Sequence, residues 1–196
     1  MVKLLIKLLL CLSLWSCSQT DNQTVVEYPV MEINVDYNLL SQIPIQINNL
    51  EFNISKEWVS VNSNQLNSLK NIFIQDSLMN VFKLVHGQTN GSTLLLVGKS
   101  EITNRTRILS NFSNKLEKTF SKKSIHLNKF RINDVKVDQF IATNATHTSF
   151  HLFIELDNLY LIEFLIPLET YEKQIQIIES TIGTIKKRKK KNENDI

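Results

Sequence analysis

The sequence predicts an α+β domain, an antiparallel sheet flanked by helices. Three observations carry this. Segments with period-two alternation recur in pairs around Asn- and Asp-containing turns. Three other stretches repeat apolar residues every third or fourth position. Glycine (4) and proline (3) are scarce in a chain that is 42% hydrophobic, so one real core can form. A length of 196 residues fits a single domain.

In chain order, residues 32–37 alternate as a strand would. Residues 43–47 (IPIQI) and 50–54 (LEFNI) alternate around Asn48-Asn49, and Asn tolerates the positive φ of a two-residue turn, which predicts an N-terminal hairpin. Trp58 follows and is placed to plug the edge of the core. Leu66, Leu69 and Phe73 share one face of a helix over 64–73. Residues 79–86 and 93–99 flank Asn90-Gly91 and form a second hairpin.

The clearest helix comes next. Ile108, Phe112, Leu116 and Phe120 recur every fourth residue, and Thr103 or Asn104 can cap its start. A four-strand meander follows over 125–132, 135–142, 148–156 and 159–166, with turns at Asn133-Asp134 and Asp157-Asn158. The last two strands are apolar on both faces and so belong in the middle of the sheet, covered on both sides. Pro167 ends the sheet. A final helix over 170–185 presents Ile175, Ile178, Ile182 and Ile185 at helical spacing.

This order is a short strand ending in Trp, a helix, a hairpin, an amphipathic helix, a meander and a C-terminal helix. With the segments FNISKEW, ILSNFSNKLEKTF, RINDVKVDQF and LYLIEFLIPLETYEKQIQIIESTIGTI, it resembles the PsbP-like α/β/α sandwich, which also occurs in bacterial envelope lipoproteins. The resemblance covers residues 43–185. It implies a fold whose members mostly bind other macromolecules through different surfaces, and it brings no shared catalytic motif.

The N-terminus carries a separate signal. Lys3 and Lys7 precede the short apolar run LLLCLSLW, which falls well below the about twenty residues that span a bilayer. It ends in Leu14-Trp15-Ser16-Cys17, which resembles the bacterial lipobox. Small Ser16 suits the signal peptidase pocket, and the Cys17 thiol would carry the lipid; Trp15 is bulkier than most residues at its position. The alternative is an ordinary cleaved signal with an incidental cysteine. The sequence thus divides into a lipoprotein signal over 1–16, a lipidated tether over 17–42, the folded domain over 43–185 and a basic disordered tail over 186–196. Ser18 after the cysteine is not the Asp of the best-known inner-membrane retention signal, which favours the outer membrane.

Charge is unevenly distributed. The net +3 comes from Lys3, Lys7 and the six consecutive cations Lys186, Lys187, Arg188, Lys189, Lys190 and Lys191. Residues 18–185 hold fourteen cations against seventeen carboxylates, so the domain is mildly acidic and has no general nucleic-acid footprint. The tail is a candidate contact for an anionic surface, at about 1 kcal/mol per cation. It equally suits a solvated end favoured by the helix macrodipole. Cys11 leaves with the signal and Cys17 is the lipidation site, so no disulfide or thiolate metal site is expected.

Candidate chemistry is thin. His147 and His151 lie four apart on a strand, about 13 Å from each other, too far to share a metal unaided. His86 and His126 have no ligand cluster around them. Glu155, Glu163 and Glu169 could suggest acid–base work, but nothing fixes their mutual distance. Glu163 is the most interesting, because a carboxylate in an apolar strand must be paired, neutral or at a rim. Asp76-Ser77-Leu78 resembles a bacterial O-glycosylation tripeptide. No nucleophile elbow, phosphate loop, dinucleotide fingerprint or metalloprotease helix is present, and no metal or cofactor is implied. The sequence therefore points to a non-enzymatic, membrane-anchored envelope lipoprotein that binds a protein partner or assists assembly. The alternative is a small-molecule or glycan-binding accessory lipoprotein. Labelled palmitate should enter the wild-type chain and be lost in Cys17→Ser. Label retained by the variant, or absent from wild type, removes the lipoprotein assignment.

Overall fold

The structure, a computed structural model, describes residues 27–60, 82–87, 93–100 and 104–188, with 82–87 described by backbone alone. It is an α+β sandwich. Seven antiparallel strands form the main sheet in the order β3-β4-β5-β9-β8-β7-β6. These are β3 (Val59–Ser60), β4 (Phe82–Gly87), β5 (Leu94–Ser100), β6 (Ile125–Ile132), β7 (Val135–Thr143), β8 (His147–Glu155) and β9 (Leu159–Pro167). Helix α1 (Arg105–Thr119) covers one face and α2 (Tyr171–Gly183) the other.

The meander forms as the sequence dictates. Asn133 and Asp134 both take positive φ, 44° and 65°, which gives the turn whose twist matches the flanking strands. Asn144 Oδ1 accepts from the backbone N–H groups of Thr146 and His147 and fixes the β7–β8 turn. β8 and β9 pair along their whole length, from Glu155 opposite Leu159 to His147 opposite Pro167. The second hairpin is β4–β5, with Gly87 opposite Leu94; its predicted Asn90-Gly91 turn lies outside the described residues. So does the helix predicted over 64–73.

Alternation on β8 and β9 feeds two cores. Leu152, Ile154, Tyr160, Ile162, Phe164 and Ile166 face α2, which contributes Ile177, Ile178 and Ile182, and Ile185 follows the helix. Trp58 packs on Phe164 at 6.1 Å between ring centroids, filling the core edge as its sequence position suggests. On the other side, Phe153 and Leu161 meet Ile108, Phe112 and Leu116 of α1. Asn104 caps α1 by accepting from the Arg107 N–H at 3.0 Å.

Four expectations differ from what the structure shows. The N-terminal hairpin, β1 (Ile45–Ile47) and β2 (Leu50–Phe52) with Asn48 at φ 54°, does not join the main sheet. It forms a small separate sheet with β10 (Lys186–Lys187), which pairs with β2. The first cations of the predicted disordered tail are therefore a strand: β2 has a free edge, and the chain leaving α2 supplies its partner. Residues Lys189, Lys190 and Lys191 lie outside the described residues.

The predicted tether over 17–42 is, from Tyr28 onward, docked on the domain. Residues 29–31 bond to Arg131 of β6 in parallel. The chain then crosses the end of α2, where the Asp36 N–H donates to Ser180 Oγ and Leu40 is buried. This crossing is why residues 32–37, despite their alternation, form no strand: their backbone runs over a helix end instead of along a sheet.

Gly183 marks the crossing. A Cβ there would lie 2.5 Å from Val35 Cγ2 and 3.1 Å from Ile33 Cγ2. Val35 is β-branched and stiff at χ1, so it cannot easily turn aside. Gly183→Ala should destabilise the chain by about 1–3 kcal/mol in chemical denaturation, as overpacking does. Adding Val35→Ala should recover part of the loss; an unchanged midpoint for Gly183→Ala would show that residues 33–35 do not press on the helix end.

Candidate functional site

Two polar groups interrupt the α1-side face of the sheet. The first is built by register. Residues 151 and 163 are equidistant from the β8–β9 turn, so His151 and Glu163 stand directly opposite each other. His151 Nδ1 is 2.7 Å from Glu163 Oε1, and His151 Nε2 is 2.9 Å from Ser149 Oγ. Ser149 is two residues from His151 on the same strand face, which is why the three fall in line. The Phe112 ring from α1 meets the imidazole edge-on at 5.0 Å.

Serine, histidine and carboxylate in that order is the arrangement of an acyl-transfer triad, and its surroundings argue against that use. Ser149, His151 and Glu163 are only 5%, 3% and 1% exposed. The Ser149 hydroxyl has a carbonyl acceptor of its own, Ala142 O at 3.2 Å on β7. A nucleophile must reach a substrate carbonyl; this one lies inside a packed face and ties β8 to β7. The chain Glu163–His151–Ser149–Ala142 thus links β9, β8 and β7 through side chains as well as through the ladder. Among the described residues Glu163 Oε2 is buried without a hydrogen-bond partner, so the carboxylate is satisfied on one side only.

The second group is a latch at the rim. Asp138 on β7 is fully buried. The Tyr28 hydroxyl donates to Asp138 Oδ1 at 3.0 Å, and Arg105, first residue of α1, donates from Nη2 to Asp138 Oδ2 and to the Tyr28 oxygen. Arg105 Nη1 donates to Glu155 Oε2 at 3.1 Å. The guanidinium also sits 5.4 Å from the Tyr28 ring centroid, with the Lys136 ammonium at 5.5 Å. Burial, followed by the hydrogen bond and charge of Asp138, raises the Tyr28 pKa despite the opposing pull of Arg105. Burial works against the charged Arg105, but Asp138, Tyr28 and Glu155 outweigh it and the pKa rises. One carboxylate therefore holds the N-terminal chain and the start of α1 on the same sheet position.

The other residues singled out from the sequence do not converge. His147 and His151 lie on one face of β8 with Ser149 between them; His147 is at the strand's start beside Thr146 Oγ1. Glu155 is exposed apart from its Arg105 pair, and Glu169 and His126 are exposed. Lys186 pairs with Glu51 at 3.0 Å, Lys187 with Asp157 at 3.6 Å, and the Arg188 N–H donates to Asn49 O. Ser16, Cys17, Ser77 and the His86 side chain lie outside what is described. Among the described residues, no three His, Cys, Asp or Glu side chains group as metal ligands, and no helix is long and apolar enough to cross a membrane.

No protein-family model matches the chain, and no curated protein matches it. Among solved structures, it is similar to cyanobacterial PsbP (CyanoP) from Synechocystis sp. PCC 6803, with TM-score 0.48 and 9% identity over 87% of this chain and 99% of that one. It is also similar to a protein from Bacteroides thetaiotaomicron VPI-5482, with TM-score 0.40 and 13% identity over 72% of this chain. This chain spans 46% of the length of the Bacteroides protein. At these identities neither likeness extends to function.

If the His151–Glu163 contact is structural, its energetics follow from burial. Glu163→Leu leaves His151 Nδ1 buried without its partner and should destabilise by about 1–3 kcal/mol. The double variant Glu163→Leu with His151→Phe removes both polar partners and should regain much of that loss, read from denaturation midpoints. A double variant as unstable as the sum of the single changes would contradict a purely structural pair.

Proposed function

We propose that the chain is a lipid-anchored, non-enzymatic envelope lipoprotein whose domain binds a protein partner or assists assembly. The observation that carries this reading is Leu14-Trp15-Ser16-Cys17 at the end of a short apolar run preceded by Lys3 and Lys7. Two acyl chains or more make such an anchor stable. The Ser149–His151–Glu163 line supports the non-enzymatic part, because all three residues are buried and the serine hydroxyl is held by a β7 carbonyl.

The latch gives the reading a length. Tyr28 is fixed to Asp138 and lies eleven residue steps after Cys17. Fully extended, that chain reaches about 36–40 Å. The partner is accordingly one whose docking surface comes within that reach of the membrane. The basic tail is a weaker membrane contact than its composition suggests, because Lys186 and Lys187 already face Glu51 and Asp157.

In-cell cross-linking of the tagged wild-type chain, followed by capture, should return one protein in fixed proportion. The same capture with Cys17→Ser should lose it, since the unanchored chain is no longer held in place. Capture of no protein in fixed proportion, or of the same protein equally by both chains, would remove the anchored-partner reading.

A further inference from the structure

The cations of the domain are not spread over it. Residues 105–136, which run through α1 into β6 and the start of β7, hold nine lysines and arginines against two carboxylates. The rest of residues 18–185 holds five cations against fifteen carboxylates. Lys118, Lys122 and Lys123 are exposed where α1 passes into β6, and Lys129 and Arg131 continue along β6 itself. An acidic body thus carries one basic flank, and that flank is the β6 edge of the main sheet.

Among the described residues that edge is also open. β6 joins β7 through the two-residue turn at Asn133-Asp134, so Ile132, Phe130 and Asn128 exchange hydrogen bonds with β7. Arg131, Lys129 and Leu127 turn their backbone groups outward. Arg131 uses its pair: its N–H donates to Pro29 O, and its carbonyl accepts from Met31 N–H. Continuing that parallel ladder would need the N–H of residue 29 to reach the Lys129 carbonyl, and residue 29 is proline, which has none. Tyr28 is meanwhile drawn inward to Asp138. No described residue pairs with the outward backbone groups of Leu127 and Lys129. Leu127 is 51% exposed in the middle of the strip, and Val30 and Met31 are exposed farther along, at Arg131.

Lysines on an edge strand discourage pairing with a second copy of the same edge, because like charges would face each other. They do not discourage a strand of opposite charge. We propose that β6 receives an acidic, extended segment of a partner protein as an added strand. Its main chain would bond to Leu127 and Lys129, an apolar side chain would lie over Leu127, and its carboxylates would meet Lys122, Lys123 and Lys129. This rests on the protein-binding reading above and names the surface and the partner's chemistry.

The test uses the full chain in detergent and a capped peptide of alternating glutamate and valine, with an alternating lysine and valine peptide as control. The acidic peptide should slow hydrogen exchange at the Leu127 and Lys129 amides, and binding should weaken as salt rises. The lysine peptide should do neither. Leu127→Pro removes an outward N–H together with the Leu127 side chain, both part of the proposed surface, at an edge position where proline is tolerated, and should weaken peptide binding by about tenfold or more. Lys129→Glu keeps the backbone intact and should weaken it likewise. Equal binding of the two peptides, wild-type affinity in both variants, or slow exchange of these amides in the peptide-free chain would overturn the proposal. So would a response to phosphatidylglycerol vesicles with none to the acidic peptide. A cross-linked partner held as firmly by both variants as by wild type would leave the assembly reading standing and remove β6 from it.

Discussion

Strand β9 has no face to give to water. Leu159 and Leu161 point to one side and Tyr160, Ile162, Phe164 and Ile166 to the other, all buried. Fully burying side chains of this size contributes about 1.5–3 kcal/mol each, so both faces demand cover. The two cores follow from that demand. One is completed by the isoleucines of α2 together with Phe52, Ile54 and Trp58, the other by Ile108, Phe112 and Leu116 of α1. The neighbours β5 and β8 are nearly as apolar, and towards β6 and the N-terminal chain the sheet becomes more polar and more exposed. Burial of β9 sets the layer order, and the layer order sets which residues meet.

Glu163 is the exception on that strand, and it shows how a polar group is kept in such a place. Its position makes it face His151, and His151 reaches Ser149, whose hydroxyl reaches a β7 carbonyl. A one-residue slip of β8 on β9 would send Glu163 and His151 to opposite faces and leave each without its partner. The apolar residues would tolerate such a slip better than this pair would. The hydrophobic pattern therefore says that these strands pair, and the polar pair reinforces the register in which they do so.

What could be read from the sequence divides along the same line. The meander, α1, α2 and the two hairpins were legible because each announces itself locally, through alternation, fourfold apolar spacing or Asn-Asp turns. The opposition of His151 and Glu163 was not: a two-residue turn at Asp157-Asn158 would set His151 opposite Phe164, whereas the strands close through the three residues 156–158, with Glu155 opposite Leu159, and that shift of one brings Glu163 to His151. The latch was not legible. Tyr28, Arg105, Asp138 and Glu155 are far apart in the chain and meet only after the sheet and α1 are assembled. The alternation of residues 32–37 predicts a strand, but their neighbour is the end of a helix at Gly183, a contact that alternation does not encode. The first residues of the basic run misled because composition says nothing about the free edge of β2 that they occupy.

The two edges of charge in this molecule consequently differ in kind. At β10 the cations lie beside carboxylates of the same chain, and the backbone of Lys186 and Lys187 is already used in a ladder with β2. Such exposed pairs contribute little to stability, but they do lower the local excess of positive charge. At β6 the situation is reversed. Its cations outnumber the nearby carboxylates, Asp138 is taken by Arg105 and Tyr28, and the ladder with the N-terminal chain stops at Pro29. The position of the proline links these facts. One residue ends the strand pairing of the N-terminal chain, the tyrosine before it pins that chain to the sheet, and the outward backbone of Leu127 and Lys129 is left without a described partner. The same short segment that docks the N-terminal chain on the domain therefore defines where the described main sheet stops.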